Sequence, residues 1–298
     1  MSEYEDFFYQ SSDGLRLYAR DYACGDAGIA QPETVLCMHG LTRNSADFAK
    51  LARHLSERYR VVAVDNRGRG RSDYDSNIAN YTPLVYVQDM FTLLAELDVD
   101  KVILCGTSMG GLMAFMMAAM QPARICGMII NDIGPEVAQE GLDRIKAYVG
   151  KSSPVVSWDD AIAQAREINQ VAFPDFSDAE WEEFTRGLYR DENGVPVLAY
   201  DPAIAQPMSD EESGAVPADL WPLFEAIVAI PMLVIRGETS DILAASCVAK
   251  MRDRKPDLQF VEIANRGHAP TLNEPPSRQA IDSFLRGLQR QAIRRADT

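Results

Sequence analysis

Ser108 lies in the stretch of this 298-residue sequence whose residue types and spacing point most directly to chemistry. It is the serine of G-T-S-M-G, a G-x-S-x-G pattern that follows a β-rich run at 102–105 and precedes an apolar helical run. So tight a reversal from strand to helix needs small residues beside its tip, which Gly106 and Gly110 supply. The hydroxyl would then stand at a helix start, where free N–H groups favour developing negative charge. The pattern predicts a serine nucleophile, and the alternative is a serine in an ordinary glycine-rich turn.

The three histidines of the chain are the candidates for the base that a serine nucleophile needs. His268, in the glycine-bearing loop R-G-H-A-P, follows the last predicted strand at the sheet edge where Ser108 also emerges, and we predict that it is the base. His39 ends a strand ahead of Gly40, where we expect it to serve loop geometry. His54 lies in the middle of a predicted helix, where we expect a surface or packing role.

A carboxylate must orient the histidine, and the sequence offers three candidates. Asp241, in G-E-T-S-D after the strand predicted at 232–236, is the predicted acid. Asp132 follows the strand predicted at 125–130 and is the main alternative, and Glu238 is the third. The carboxylates that do not orient the histidine are expected to cap turns.

Two backbone N–H groups are expected to stabilise the negatively charged oxygen that forms when a carbonyl is attacked. One belongs to Met109, directly after the serine. The other is predicted to belong to Leu41, in the loop after the strand at 34–38, where Gly40 lets the backbone approach closely.

The elements that would hold these residues alternate between strand and helix. The apolar runs at 34–38, 61–64, 102–105 and 125–130 lack polar alternation and predict strands covered on both faces, and two further strands are predicted at 232–236 and 258–263. Such strands form a mainly parallel sheet, and this pattern predicts an α/β fold. Ahead of them, residues 5–22 alternate around a D-G pair, which predicts a β-hairpin.

The segment 134–222 interrupts this alternation. Helices are predicted at 142–149, 157–170 and 177–189 without buried strands between them. We therefore predict a core domain of residues 1–133 and 223–298 and a helical cap domain of residues 134–222. The aromatic residues of this segment are expected mainly in its core, and the alternative is the wall of an apolar acyl pocket; they are Trp158, Phe173, Phe176, Trp181, Tyr189, Tyr200 and Trp221.

Composition limits the partners and the location. With 47% hydrophobic and 24% charged residues, the chain is an ordinary globular protein. A net charge of -15 without a basic run argues against nucleic acid and against an anionic membrane surface. The acidic amino terminus lacks signal-peptide features, and five cysteines show no metal-ligand spacing. We expect a cytoplasmic protein that binds a small molecule without metal or cofactor, and a homodimer is left open.

Five segments occur in an order typical of one family; they are H-G-L-T-R-N, D-N-R-G-R-G-R-S-D, G-T-S-M-G-G, R-G-E-T-S-D and R-G-H-A-P. From the first hairpin to the last helix, the chain resembles the α/β-hydrolase fold superfamily. The resemblance implies a mostly parallel eight-stranded sheet flanked by helices, with a helical cap. The chain order Ser108, Asp241, His268 is the order expected of that fold. The D-N-R-G-R-G-R-S-D stretch is expected to be structural, and the alternative is that its arginines bind an acidic substrate.

The resemblance is greatest to a group of carboxylesterases, lactonases, C–C bond hydrolases and serine haloperoxidases. Ser108 argues against dehalogenases and epoxide hydrolases, which carry an aspartate at this position. The expected function is therefore a serine hydrolase acting on an ester-like bond of a small, partly apolar molecule. Three alternatives remain: a C–C bond hydrolase with the same residues, a non-catalytic ligand-binding member of the fold, and a cofactor-free oxygenase.

Overall fold

The computed structural model describes residues 3–29, 31–209 and 219–296. The strands are β1 (Glu5–Gln10), β2 (Arg16–Tyr22), β3 (Thr34–Met38), β4 (Arg60–Asp65), β5 (Val102–Thr107), β6 (Ile125–Asn131), β7 (Tyr189–Glu192), β8 (Val195–Leu198), β9 (Met232–Gly237) and β10 (Gln259–Ile263). The helices are α1 (Ala49–Leu55), α2 (Pro83–Glu96), α3 (Met109–Met120), α4 (Gln139–Tyr148), α5 (Trp158–Asn169), α6 (Asp178–Leu188), α7 (Gln206–Ser209), α8 (Trp221–Ala226), α9 (Ala245–Arg254) and α10 (Pro275–Ala296).

A single eight-stranded sheet has the order β1-β2-β4-β3-β5-β6-β9-β10. β1 and β2 pair antiparallel, as do β2 and β4, and every later pair is parallel. The predicted α/β fold with a mostly parallel sheet is confirmed. The predicted hairpin is β1–β2, and its turn has Gly14 at a φ of +86°, a conformation that glycine adopts without strain.

Both faces of the sheet are covered, which explains why its central strands are continuously apolar. In β5, Leu104 packs with Met113 of α3 in one core cluster. Its neighbours Ile103 and Cys105 point the other way and pack in a second cluster with Phe284 of α10. Because successive side chains of a strand alternate between faces, a strand between two helical layers needs apolar residues at every position.

The segment between β6 and β9 is mostly helical, as predicted, but it also contains the hairpin β7–β8. This hairpin was not predicted, because Pro196 and Pro202 in and beside it are typical of irregular chain. Asn193 and Gly194 both have positive φ at its turn, and an N-G pair is the sequence signal of such a turn. The division into a core and a cap domain stays a prediction, and residues 210–218 of the proposed cap lie outside the described residues. Within the described ranges, no helix is long and apolar enough to cross a membrane.

Candidate active site

Ser108 stands between β5 and α3 in a conformation that only a very tight turn requires. Its φ is +53°, in the region that residues with a side chain rarely adopt. A Cβ added to Gly106 would lie 2.2 Å from the carbonyl oxygen of Gly110, and one added to Gly110 would lie 2.0 Å from the carbonyl oxygen of Met38. Only glycine fits at either position. The strained serine and its two obligatory glycines are the arrangement that the G-x-S-x-G spacing predicted.

His268 lies in the loop after β10, and its ring joins two side chains. Its Nε2 lies 2.8 Å from Oγ of Ser108, and its Nδ1 lies 2.8 Å from Oδ2 of Asp132. The ring is nearly enclosed, with 8% of the side chain exposed. Because the carboxylate accepts a hydrogen bond, Nδ1 carries the proton and the lone pair of Nε2 faces the serine hydroxyl. The imidazole is thus oriented to accept the hydroxyl proton.

The carboxylate in contact with the histidine is Asp132, so the prediction that Asp241 orients the imidazole is wrong. Asp132 directly follows β6 and is fully buried. Besides the contact with His268, its Oδ1 accepts the backbone N–H of Gly237 at 2.8 Å and its Oδ2 accepts the hydroxyl of Ser240 at 2.6 Å. These two donors hold the buried Asp132 carboxylate in one orientation. A residue that orients a histidine ring needs a side chain fixed in this way.

Asp241 and Glu238 have other partners. The Asp241 carboxylate accepts from Nε and Nη2 of Arg144 in α4, at 2.5 and 2.9 Å, and its carbonyl oxygen accepts the Gly141 N–H at 3.1 Å. Burial raises the pKa of Asp241, but the hydrogen bond and the charge of Arg144 outweigh it and leave the pKa below its ordinary value. Glu238 is exposed and accepts the backbone N–H of Asn265. Asp241 therefore ties α4 to the edge of the sheet.

The order of the strands explains why Asp132, rather than Asp241, contacts His268. β6 lies between β5 and β9 in the sheet. The residue that directly follows β6 emerges beside the one that follows β5, which is Ser108. Asp241 lies farther along the loop after the more distant β9, where Arg144 is within reach. Asp132 also falls between Ser108 and His268 along the chain, so the chain order of the three residues is the same with either aspartate.

The other two histidines have the structural positions expected of them. His39 is fully buried; its Nδ1 lies 2.6 Å from the carbonyl oxygen of Gly40, and its Nε2 accepts the N–H of Asn66 at 3.1 Å. Burial lowers the pKa of His39 to about 3, so the ring is neutral and fixes the loop after β3. His54, in α1, lies 2.9 Å from Asp282 and is partly exposed.

Two backbone N–H groups border the serine. An ideal Cβ at Gly40 would stand 3.7 Å from Cβ of Ser108, so the loop that carries Leu41 lies against Ser108. Met109 is the first residue of α3 and follows Ser108 directly. Neither the Leu41 nor the Met109 N–H has a hydrogen-bond acceptor among the residues that the structure describes. Two free donors are therefore available beside Ser108, and their role as an oxyanion hole stays a prediction.

Ser108 and His268 open onto a cavity of about 540 Å³. The loops after β3, β5 and β10 form one side of it, and the segment between β6 and β9 forms the other. Four of the seven aromatic residues considered from the sequence line the cavity; they are Phe173, Phe176, Tyr189 and Tyr200. Tyr148 and Phe184 line it too, whereas Trp158, Trp181 and Trp221 are not among its described lining residues. Some of the predicted aromatic residues therefore form the wall of the cavity, and the three tryptophans pack elsewhere.

The arginines of the D-N-R-G-R-G-R-S-D stretch lie outside the described lining of this cavity, so its geometry does not favour their binding an acidic substrate. Arg67 is fully buried and forms ion pairs with Asp13, Asp75 and Asp89. The hydrogen bond from Arg67, with a smaller contribution from Ser11, lowers the pKa of Asp13 to about 2. Arg67 thus has the structural role that the resemblance implied.

Two polar residues that support the site were not predicted. The hydroxyl of Ser240 donates to Asp132. The side-chain amide of Asn131 donates to the carbonyl oxygen of Pro270 in the histidine loop at 2.8 Å and to Oγ1 of Thr107 at 3.1 Å. Each stands directly before a candidate acid, in an N-D or S-D pair after a buried strand. That position at the sheet edge was the signal available in the sequence.

Comparisons with known proteins agree on one fold. The family model described as the alpha/beta hydrolase fold matches residues 33–275. The chain is similar to a 3-hydroxybutyrate-oligomer hydrolase of Cupriavidus necator, with 36% identity over 87% of this chain and 90% of that one. It is also similar to a 2-(acetamidomethylene)succinate hydrolase of Mesorhizobium japonicum, with 30% identity over 84% and 87% of the two chains. A crystal structure of an alpha/beta hydrolase from Novosphingobium aromaticivorans has 41% identity and a TM-score of 0.90, covering 96% of this chain and 99% of that one.

Proposed function

The chain belongs to the alpha/beta hydrolase fold family, and we propose that it is a serine hydrolase that cleaves an ester bond of a small, partly apolar molecule through an acyl-enzyme on Ser108. One observation carries the proposal: the imidazole of His268 lies 2.8 Å from both the Ser108 hydroxyl and the Asp132 carboxylate. A nucleophile, a base and an orienting acid in one line are the arrangement that activates a serine.

The reaction would proceed in two halves. Oγ of Ser108 attacks the carbonyl carbon while Nε2 of His268 takes the hydroxyl proton, and Asp132 holds the tautomer and stabilises the imidazolium. The N–H groups of Leu41 and Met109 donate to the oxyanion. His268 then gives its proton to the leaving alkoxide, which departs as an alcohol. A water molecule, deprotonated by the same imidazole, attacks the acyl-enzyme and releases the acid and free Ser108.

Short esters of hydroxy acids are the substrates that we propose. In support, the relative with 36% identity is a 3-hydroxybutyrate-oligomer hydrolase. The cavity of about 540 Å³ falls within the range of roughly 300–1,000 Å³ that is usual for small-molecule sites. Its apolar wall, which includes Phe173, Phe176 and Phe184, suits a short aliphatic acyl chain.

We would test this proposal by measuring the activity of wild type and of Ser108→Ala on a panel of substrates. The panel holds 3-hydroxybutyrate dimers and trimers, p-nitrophenyl butyrate, a lactone, a thioester and a dienoate ketone of the kind that ring fission produces. We expect wild type to hydrolyse the oxygen esters and Ser108→Ala to lose at least about 10³-fold in kcat. A fluorophosphonate should label Ser108 of wild type, as mass spectrometry of the peptide would detect.

Other outcomes would favour the alternatives. Turnover of the dienoate ketone without ester turnover would indicate a C–C bond hydrolase that uses the same residues. Folded protein that neither turns over the panel nor reacts with the fluorophosphonate would indicate a ligand-binding member of the fold. Consumption of O₂ that survives Ser108→Ala but is lost in His268→Ala would indicate cofactor-free oxygenase chemistry.

We also propose a cytoplasmic location and a small molecule as the partner, without nucleic acid or membrane. The net charge of -15 supports this, because it repels polyphosphates and anionic lipids. A homodimer stays a prediction, which sedimentation of the purified protein at micromolar concentration would test.

A further inference from the structure

Arg69 is a buried cation without an acidic partner. Its side chain is fully enclosed, and no carboxylate of the described residues forms an ion pair with it. Arg67, two residues earlier in the same stretch, is equally buried but is paired with Asp13, Asp75 and Asp89. Burying a charge without a carboxylate partner costs stability, and the rings of Tyr86 and Tyr81, whose centroids lie 4.8 and 5.6 Å from Cζ of Arg69, offset only part of that cost.

The guanidinium of Arg69 contacts both residues whose N–H groups border the serine. Its Nε donates to the carbonyl oxygen of Leu41 at 2.9 Å, and its Nη2 lies 4.0 Å from Sδ of Met109. Its Nη1 donates to the carbonyl oxygen of Arg67 and to the hydroxyl of Tyr86, both at 2.8 Å. The hydrogen-bond partners of the guanidinium are therefore all neutral. Two of the residues that it contacts, Leu41 and Met109, lie beside Ser108.

The backbone of Arg69 reaches the opposite wall of the cavity. It forms an isolated antiparallel bridge with Tyr200, which lines the cavity, and the N–H of Gly70 donates to the carbonyl oxygen of Ala199 at 2.7 Å. One residue thus connects the loop after β3, the start of α3 and the segment between β6 and β9.

We propose that Arg69 is a positioning residue of the oxyanion hole, an inference that rests on the proposed function. Its hydrogen bond holds Leu41 in place beside Ser108, so the Leu41 N–H is fixed before an oxyanion forms. Its positive charge, without a carboxylate to offset it, lies in a low-dielectric interior against Leu41 and Met109, the two residues whose N–H groups would bind the oxyanion. Both effects are stronger in the tetrahedral intermediate than with bound substrate, so Arg69 acts on kcat rather than on KM.

The test compares Arg69→Met, Arg69→Lys and Arg71→Met with wild type, and includes Ser108→Ala. Arg71 is the matched control, because it belongs to the same stretch, is exposed and pairs with Asp6 rather than with the oxyanion loop. Steady-state kinetics on the best ester give kcat and KM. Inhibition by a trifluoromethyl ketone, which forms a tetrahedral adduct with the serine, is compared with inhibition by the matching methyl ketone, which resembles the ground state.

We expect Arg69→Met to lower kcat at least about tenfold with KM nearly unchanged. The trifluoromethyl ketone should bind more weakly by a similar factor and the methyl ketone equally well. Arg69→Lys, which keeps the charge and loses the planar fork, should recover part of kcat. Arg71→Met should equal wild type.

Three results would overturn the inference. The first is a kcat of folded Arg69→Met at the wild-type value, and the second is equal weakening of both ketones, which indicates a merely structural residue. If circular dichroism shows that Arg69→Met does not fold, Arg69→Gln takes its place as the neutral variant, and an unchanged kcat there is the third. Turnover that survives Ser108→Ala would instead contradict the proposed function, and the inference with it.

Discussion

The carboxylate of Asp132 lies 2.8 Å from Nδ1 of His268, at the end of a strand that is the immediate neighbour of the one leading to Ser108. Asp241, the aspartate that the sequence favoured, is bound by Arg144 instead. The two aspartates stand on neighbouring loops of one sheet edge and have different partners. Comparing substitutions of these two aspartates gives the most direct test of the site.

Replacing Asp132 should affect catalysis far more than replacing Asp241. In Asp132→Asn the amide can no longer hold the productive tautomer of His268, and we expect kcat to fall by about 10³- to 10⁴-fold with little change in KM. Asp241→Asn removes a negative charge near the ring of His268 but leaves the hydrogen bond between His268 and Asp132 in place. Its kcat should therefore remain close to that of wild type. Kinetics of both variants on one ester make the comparison, and a larger loss in Asp241→Asn would contradict the assignment.

The glycines of the turn should not tolerate a methyl group. In Gly106→Ala the new Cβ would stand 2.2 Å from a carbonyl oxygen of the Gly110 backbone, which cannot move without displacing Ser108. We expect a loss of about 3 kcal/mol or more in the free energy of unfolding. Gly287→Ala in α10, where an added Cβ meets nothing within 4 Å, is the control and should gain up to about 1 kcal/mol. Urea unfolding of both variants measures the difference, and equal stabilities would contradict the packing described for the turn.

His39 should make the fold less stable in acid. Its pKa is about 3 in the folded protein and 6.5 as its ordinary value, so between these values the unfolded chain binds a proton that the folded chain does not. Stability therefore falls as the pH falls from about 6.5 towards 3. Between pH 7 and pH 5, wild type should lose about 2 kcal/mol more than His39→Gln, because the glutamine does not titrate. Urea unfolding at the two pH values tests this, and parallel losses in the two proteins would show that His39 is not kept neutral.

Arg67 should be indispensable for folding, because it neutralises buried carboxylates. Arg67→Met leaves Asp75 and Asp89 enclosed without a cation, and we expect a loss of about 3–5 kcal/mol in the free energy of unfolding. Asp13→Asn removes the most exposed of the three partners and should cost about 1 kcal/mol or less. Thermal or urea unfolding compares the two, and a small loss for Arg67→Met would mean that those carboxylates are protonated or hydrated instead.

Much of the site could be predicted because its parts are set by neighbouring residues. The turn around Ser108 depends on two glycines within two residues of it, and their spacing is visible in the chain. The parallel sheet could be predicted because buried strands lack polar alternation. The hairpin β7–β8 was not predicted although its N-G turn is equally local, because Pro196 within it is unusual in a strand.

The sequence by itself determined the strand-to-helix alternation and the class of fold, and it predicted Ser108 and His268 as nucleophile and base, since each follows from residues close together or from the period of apolar positions. Only the tertiary structure decided which aspartate meets His268 and which arginine supports the loop of Leu41. Those contacts depend on the order of strands in the sheet and on where the segment between β6 and β9 places Arg144. The strand order and the position of Arg144 are both set by packing between parts of the chain that are far apart in sequence. The residues next to Asp132 or Asp241 therefore could not predict these contacts.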